Sequence, residues 1–251
     1  MRALVVIPTY NEASSLRRVV ESVRRTARAH VLVVDDNSPD GTGELADWLA
    51  ERDYGVHVMH RGDKAGLGAA YRAGFAWALA SGYEAIGQMD ADGSHAPEDV
   101  PRLLDALRNA DLVIGSRYVP GGAVRNWPPS RRLLSRAGNA YVQLWTGLPI
   151  NDATAGFRMF RRRTLTALEL EQVRSDGYSF QIELALRAHA AGLRVVEIPI
   201  TFVERTNGVS KMSRAIVAEA LWRVPGWAVD ARGRPVAVDP RSVAAPTPTR
   251  G

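Results

Sequence analysis

The sequence predicts an α/β fold, a mostly parallel sheet flanked by helices. Three observations carry that expectation. Short apolar runs alternate with segments of helical period through the first half of the chain. The apolar runs lead into polar clusters, as strands of a parallel sheet do at their carboxyl ends. With 251 residues, 46% of them hydrophobic, the chain has enough apolar material for one large core.

The elements follow in order. Ala3–Ile7 reads as a buried strand, and Glu12–Ala29 as a helix with Leu16, Val19, Val20 and Val23 at helical spacing. Val31–Val34 is a second strand, ending in the turn-rich Asp35-Asp36-Asn37-Ser38-Pro39-Asp40-Gly41-Thr42. A helix over Gly43–Arg52, a strand near Val56–His60, a helix over Ala69–Ala80 and a strand over Ala85–Met89 continue the alternation. Glu98–Leu107 is a helix opened by Pro97, and Leu112–Gly115 a strand. Beyond this the pattern is less regular. Gly121–Ser130 is a Gly/Pro-rich loop, Leu133–Trp145 a helix, Thr154–Phe160 strand-like, Tyr178–Ala191 a helix and Val195–Ile200 a strand. Ala215–Val224 is helical until Pro225. From Asp230 the composition turns to Pro, Ala, Thr and Arg without periodicity, so residues 1–229 are expected to form the domain and 230–251 a disordered tail.

Composition narrows the chemistry. No cysteine is present, which excludes disulfides, thiol catalysis and thiolate-bound metal and fits a reducing cytoplasm. The first apolar run is of strand length, too short for a signal-peptide core, and no stretch has the roughly 20 apolar residues of a membrane span. A soluble or peripheral protein is therefore expected. The net charge of +5 suits nucleic acid, anionic membrane or phosphorylated substrates. Its distribution argues against a basic nucleic-acid binder, because 27 acidic residues offset 32 basic ones and acids stand at the strand ends.

Four clusters carry chemistry. Asp90-Ala91-Asp92 follows a buried strand, so two carboxylates can address one hard cation such as Mg²⁺ or Mn²⁺ and, through it, a diphosphate; the alternative is a solvated turn. Tyr10, Glu12 and Asp36 offer the aromatic contact and carboxylate acceptors that a base and ribose need, whereas Asn11 also suits a helix N-cap and Asp40-Gly41 a turn. Between Ser116 and Arg136 stand five arginines (117, 125, 131, 132 and 136) and no carboxylate. Arg117, at a strand end, suits phosphate, while Arg132 and Arg136 suit a solvated helix face. Finally Phe202–Lys211 places a flexible Asn207-Gly208 turn between cations, as a lid over a diphosphate would.

The segments VVIPTYNE, VVDDNSPDGT, MDADGSHAPED, GSRYVPGG, ATAGFR and FVERTNGVSKM occur in the order found in polyprenol-phosphate (dolichol-phosphate) mannosyltransferases. The chain resembles this branch of glycosyltransferase family 2, which has the GT-A (Rossmann-like) fold, over roughly residues 2–214. GSRYVPGG followed by NWP and GNAY points to the polyprenol-phosphate branch, and the missing QxxRW signature argues against a processive synthase. The resemblance implies mannose transfer from GDP-mannose to a polyprenyl monophosphate with inversion, dependent on Mg²⁺ or Mn²⁺.

By that resemblance Pro8, Tyr10, Glu12, Val34 and Asp36 bind the guanosine part, and Asp90, Ala91 and Asp92 the diphosphate and metal. Some members have Gln two residues after the second Asp as a further ligand; this chain has Ser94, a shorter and weaker donor. Arg117, Arg205 and Lys211 would bind phosphates of donor or acceptor, and Arg131 and Ser135 match positions for the lipid phosphate. Asp90, Asp92 and Arg117 form the catalytic set, with Asp152 as an assisting carboxylate. A lipid monophosphate is already anionic near pH 7, so no obligatory base is assigned. Met212, Ile216, Ala220, Leu221 and Val224 share a helical face beside Lys211, Arg214 and Arg223. That segment, with Trp222 and Trp227, is expected either to lie on a membrane or to pack on its own domain. The implied setting is the cytoplasmic face of a membrane, with a membrane-anchored partner protein. Two rivals stay open: the same reaction with UDP-glucose or UDP-N-acetylglucosamine, and metal-dependent hydrolysis of a nucleotide-sugar.

Overall fold

The computed structural model describes residues 1–204 and 223–227. Arg205, Lys211, most of the amphipathic C-terminal segment and the tail from residue 230 lie outside the described residues. β1 (Ala3–Thr9), α1 (Ala13–Ala27), β2 (His30–Asp35), α2 (Thr42–Arg52), β3 (Val56–His60), α3 (Leu67–Ala80) and β4 (Ala85–Gln88) follow the expected alternation within two residues at each end. The next helix starts later than expected. A 3₁₀ turn over Pro97–Asp99 precedes α4 (Val100–Ala106), because Pro101 has no N–H to donate and is tolerated only in a helix's first turn.

After β5 (Leu112–Ser116) come β6 (Ala123–Arg125), α5 (Pro129–Thr146), β7 (Arg158–Arg161), α6 (Arg162–Ala167), α7 (Gly177–Ala190), β8 (Val195–Pro199) and β9 (Thr201–Val203). β6 and β9 lie in segments read as loops, and they pair in parallel as a separate two-stranded sheet. Three residues are too few for any periodicity to register, and the six of α6, under two helical turns, are too few as well.

The main sheet has the order β3-β2-β1-β4-β7-β5-β8. β7 is antiparallel to both its neighbours, and the remaining pairings are parallel. Alternation along each strand divides the core between two faces. Leu4, Val6, Leu32, Val34, Ile86 and Ile114 pack towards α3 and α7, whereas Val5, Ile7, Val31, Val33 and Val113 pack towards α1, α2 and α4. β1 runs on to β2 on one side while β4 lies on its other side, so the chain reverses direction in the sheet between β1 and β4. Ligand crevices open at such a point, beyond the carboxyl ends of the strands.

At the C-terminal end of the described chain, residues 223–227 are helical. Val224 is fully buried in the core and Trp227 packs against that core. At this end of the segment Val224 is packed on its own domain, and Trp227 is partly buried beside it.

Candidate active site

A cavity of about 430 Å³ opens at the switch point. Three of the four sequence clusters reach it with several residues each, and the fourth reaches it through Phe202 and Glu204.

Pro8, Tyr10, Glu12 and Asp36 line one end. Their backbone is held by the next loop: Ser38 Oγ accepts from the Asn11 N–H, Thr42 Oγ1 from Glu12 and Asp40 Oδ2 from Ala13. Asn11 itself has φ of 60° and precedes the cap position of α1, so its role is a left-handed turn and not the expected N-cap. Asp40 supplies the capping acceptor from another loop. Burial pushes its carboxyl up, but hydrogen bonds from Thr42 and Ala13 outweigh this and hold it below the ordinary value.

The two carboxylates of the Asp35-Asp36 pair differ in task. Asp35 is buried and accepts from Thr9 Oγ1 at 2.8 Å and Ser38 Oγ at 2.6 Å, which ties β1 to β2. Asp36 lines the cavity and pairs with Arg61 Nη1 at 2.8 Å. Burial raises its carboxyl above the usual range even though Arg61 opposes the shift. Val34, expected among the donor-binding residues, is a correction. Its side chain is fully buried in the core, packed with Val6 and Phe75, and it does not line the cavity.

Asp90, Ala91, Asp92, Ser94 and His95 line the middle. Gly93, at φ of 76°, turns the chain so that the Ser94 N–H donates to Asp92 Oδ1 at 2.9 Å. Tyr71 OH donates to Asp90 Oδ1 at 3.4 Å, and the Asp90 N–H donates to His95 Nδ1 at 3.4 Å. His95 stacks on Phe157 at 5.0 Å. Burial lowers its pKa despite the nearby Asp90 and Asp92, so it stands neutral with Nδ1 as acceptor. Among the described residues no cluster of three or more His, Cys, Asp or Glu side chains forms a ready-made metal cage. Two half-buried carboxylates in a polar crevice instead suit a small hard cation that takes its remaining oxygens from water and a substrate diphosphate.

Arg117, Trp127, Arg131, Tyr178, Phe202 and Glu204 line the other end. The Arg117 guanidinium lies 5.4 Å from the Trp127 ring and that of Arg131 4.3 Å from it. Arg131 pairs with Glu204 and hydrogen-bonds the Tyr178 hydroxyl, whose pKa burial raises. Trp127 Nε1 and Arg131 Nε are buried donors with no partner. Such groups cost stability unless a ligand uses them, and both are suited to phosphate oxygens.

Asp152 is a second correction. It is fully buried, and its carboxylate accepts from Arg117 Nε at 2.8 Å, Arg117 Nη2 at 2.6 Å and the Arg117 N–H at 2.9 Å, with Thr154 Oγ1 at 3.3 Å. It does not line the cavity. It orients Arg117 and is not placed to assist an acceptor. Ser135 accepts from Tyr118 OH at 2.7 Å and lies outside the cavity lining, although Arg131, one turn earlier in α5, is inside it.

Lys64, Asp176, Tyr178 and Gln181 also line the cavity and were not singled out from sequence. Lys64 Nζ sits 3.7 Å from the Tyr10 ring. Asp176 precedes α7 and accepts from the Gly68 N–H at the start of α3. A Cβ at Gly66 would strike its carboxylate at 1.9 Å, which is the available signal in the Gly66-Leu67-Gly68 run. Arg158, fully buried, donates to the carbonyls of Ala153, Ala155 and Gln181 at 2.7–2.8 Å. Burial lowers its pKa to about 9, and its three bonds pin the loop under the arginines to α7.

Residues 4–168 match the profile of glycosyl transferase family 2. The chain belongs to that family. Among family members it is 56% identical over 236 residues to the polyprenol monophosphomannose synthase of Mycolicibacterium smegmatis, covering 93% of this chain and 88% of that one. It is 53% identical to the undecaprenyl-phosphate mannosyltransferase of Micrococcus luteus, covering 92% of this chain and 96% of that one. Among solved structures, a mannosyltransferase from Pyrobaculum calidifontis in complex with GDP-Man and Mn²⁺ shares the fold at a TM-score of 0.55 and 18% identity, over 96% of this chain and 77% of that one. The family 2 assignment and this GT-A type of fold agree with the sheet order and with the cavity at its switch point.

Proposed function

We propose that this family 2 glycosyltransferase moves mannose from GDP-mannose to a polyprenyl monophosphate, inverting the anomeric centre. One observation carries the reading: a single cavity joins the carboxylate wall of Asp36, Asp90 and Asp92 to the Arg117–Trp127–Arg131 wall. The names of the two relatives above supply the sugar and the class of acceptor. Asp36 and Glu12 accept from the base and ribose, and Tyr10 covers the base. Asp90, Asp92 and, through its hydroxyl, Ser94 face the diphosphate. A Mg²⁺ or Mn²⁺ ion bound there supplies Lewis-acid neutralisation of the departing diphosphate.

Arg131 and the Trp127 N–H hold the acceptor phosphate, with Arg117 fixed beside them by Asp152. An oxygen of that phosphate attacks the anomeric carbon from the face opposite the diphosphate. The bond from that carbon to the diphosphate oxygen breaks, and its electron pair leaves with GDP. The attacking oxygen carries no proton near pH 7, its second pKa being about 6, so the loss of Asp152 as an assisting group costs the mechanism nothing. Arg205 and Lys211 are proposed to close over the phosphates from the segment after β9. The catalytic unit is taken as residues 1–229, peripheral at the cytoplasmic face of a membrane beside an anchored partner. No helix among the described residues is long and apolar enough to cross a bilayer.

The test supplies labelled GDP-mannose, polyprenyl phosphate and Mg²⁺ or Mn²⁺ to wild type and Asp92→Ala, with UDP-glucose as the competing donor. Label entering the lipid phase with wild type and not with Asp92→Ala is expected. A preference for UDP-glucose would overturn the donor, and free mannose without lipid product would overturn the acceptor.

A further inference from the structure

One buried side chain in the cavity has no part in the transfer proposed above. Gln181, in the second turn of α7, is 2% exposed yet lines the cavity. Its carbonyl accepts from Arg158 Nη1 at 2.8 Å, and its Oε1 accepts from Gln88 Nε2 at 2.8 Å. Phe180, beside it, stacks on Tyr71, the residue that donates to Asp90. The side chain is therefore held in place by the protein. Among the described residues no acceptor engages the Gln181 Nε2 hydrogens. Gln88 Oε1, fully buried, has no partner among them either. Turning both amides over keeps their mutual bond and exchanges a free Gln181 Nε2 for a free Oε1. In either orientation Gln181 keeps one unengaged polar atom, and burying such an atom costs stability unless a ligand uses it.

Its place in the sheet decides which part of a substrate it meets. Gln88 lies on β4 two residues before Asp90 and pairs in register with Arg158, the first residue of β7. β7 in turn stands between β4 and β5, the strand that leads into Arg117. Tied to β4 through Gln88 and to β7 through Arg158, Gln181 stands on the stretch of floor that leads from Asp90 towards Arg117. The loop before β7 supplies the rest of that stretch and offers little to a polar ligand. Ala155 and Gly156 line the cavity without a polar side-chain atom, and a Cβ on Gly156 would come 3.6 Å from Asp90 Oδ2. Thr154 Oγ1 is already used, accepting from Arg117 Nη2 at 2.9 Å and donating to Asp152 Oδ1 at 3.3 Å. The Gln181 amide is what this stretch has left to offer. Being uncharged, it is matched to a hydroxyl, which both gives and accepts a hydrogen bond.

We infer that Gln181 reads the transferred sugar by hydrogen-bonding one of its hydroxyl groups, with Gln88 as the positioning residue behind it. The inference rests on the transfer reaction proposed above, in which the sugar passes from a diphosphate at Asp90 and Asp92 to a phosphate at the arginines. The nucleotide is held elsewhere, by Tyr10, Glu12 and Asp36. Gln181 therefore matters to GDP-mannose and not to GDP. A site built to hydrogen-bond a hydroxyl also rejects a sugar that lacks it, because the amide is then left buried and unpaired. Gln181 is thus a specificity-determining residue for the donor sugar.

Equilibrium binding of GDP and of GDP-mannose, with Mg²⁺ or Mn²⁺ present, is compared in wild type, Gln181→Leu and Gln181→Asn. Leu removes the amide at similar volume and Asn withdraws it by one methylene, so Asn covers the case in which the Leu variant fails to fold. Both variants are expected to keep the wild-type Kd for GDP, to bind GDP-mannose about tenfold more weakly and to leave the acceptor KM unchanged. Analogues of GDP-mannose that each lack one sugar hydroxyl locate the contact. One analogue should lose about tenfold with wild type and nothing further with the Gln181 variants. Gln88→Leu should give a smaller loss of the same kind. Equal weakening of GDP and GDP-mannose would make Gln181 merely structural and overturn the inference. So would wild-type affinity and turnover in the variants, or losses that add for every analogue. Wild type that binds UDP-glucose and not GDP-mannose would instead refute the proposed donor, and UDP against UDP-glucose in the same variants then decides Gln181. Wild type that binds GDP-mannose but transfers nothing to polyprenyl phosphate would refute the proposed acceptor, on which the binding comparison does not depend.

Discussion

Arg117 and Asp152 form a buried, two-pronged ion pair, with guanidinium nitrogens 2.6 and 2.8 Å from the two carboxylate oxygens. Burial disfavours the Arg117 charge, yet Asp152 reverses this and raises its pKa, so the cation persists at every accessible pH. The pair gives the acceptor wall a cation of fixed orientation.

Asp152→Asn should therefore act through Arg117. Breaking a buried pair typically costs about 3–5 kcal/mol, so thermal or urea unfolding should register a loss of that order. Surviving enzyme should show a raised KM for the acceptor and an unchanged KM for the donor. Normal stability with kcat alone reduced would return Asp152 to a direct chemical role.

Glu204→Gln tests the other arginine. Arg131 must exchange Glu204 for an incoming phosphate, so removing the competing charge should lower the acceptor KM by about threefold, the worth of a partly exposed ion pair. Both partners are partly solvated, so melting should barely move. A raised acceptor KM would mean that Glu204 positions Arg131 for binding.

Lys64→Ala should raise the donor KM by about threefold while sparing the acceptor KM, since Lys64 holds the Tyr10 ring by a partly solvated cation–π contact. Steady-state kinetics with each substrate varied in turn decides this. Equal effects on both substrates would place Lys64 elsewhere in the reaction.

Acid should weaken the fold before carboxylates titrate. Burial lowers the pKa of His30, His57 and His95 below the ordinary 6.5. The unfolded chain then binds these protons first, so stability is complete above pH 6.5 and falls as pH drops through the lower folded values. Asp36 is shifted up from 3.8 and has the opposite sign, but it acts in a more acidic range. Melting curves from pH 7.5 to 5 should show the decline, and His30→Asn/His57→Asn should flatten it. An unchanged slope in that variant would remove the pair from the account.

Much of this was legible in the sequence because local pattern and global fold agree. The strands through β5 and their helices were readable from apolar periodicity, and the strand-end clusters pointed to the crevice before any contact was known. The failures have one physical source, which is that a residue's neighbours across the fold are not in its local pattern. Asp152 reads as a free carboxylate until Arg117, thirty-five positions earlier, is seen to occupy it. Lys64 and Asp176 lie in segments without a repeating pattern, and only tertiary packing brings them to the cavity. α5 read correctly as a helix, but which of its faces is inward could not be read from a sequence apolar on the outer side.

The reversed strand β7 sets a length. It lies between β4, which leads into Asp90, and β5, which leads into Arg117, and its first residue, Arg158, pairs with both Gln88 and Ile114. Two strand spacings, roughly 9–10 Å of backbone, therefore separate the ends of β4 and β5 from which Asp90 and Arg117 follow. Because β7 runs the other way, the loop before it emerges at the ligand edge and forms the floor of that gap. One reversed strand thus works as a spacer that keeps the carboxylate-bearing and arginine-bearing strand ends from being direct neighbours.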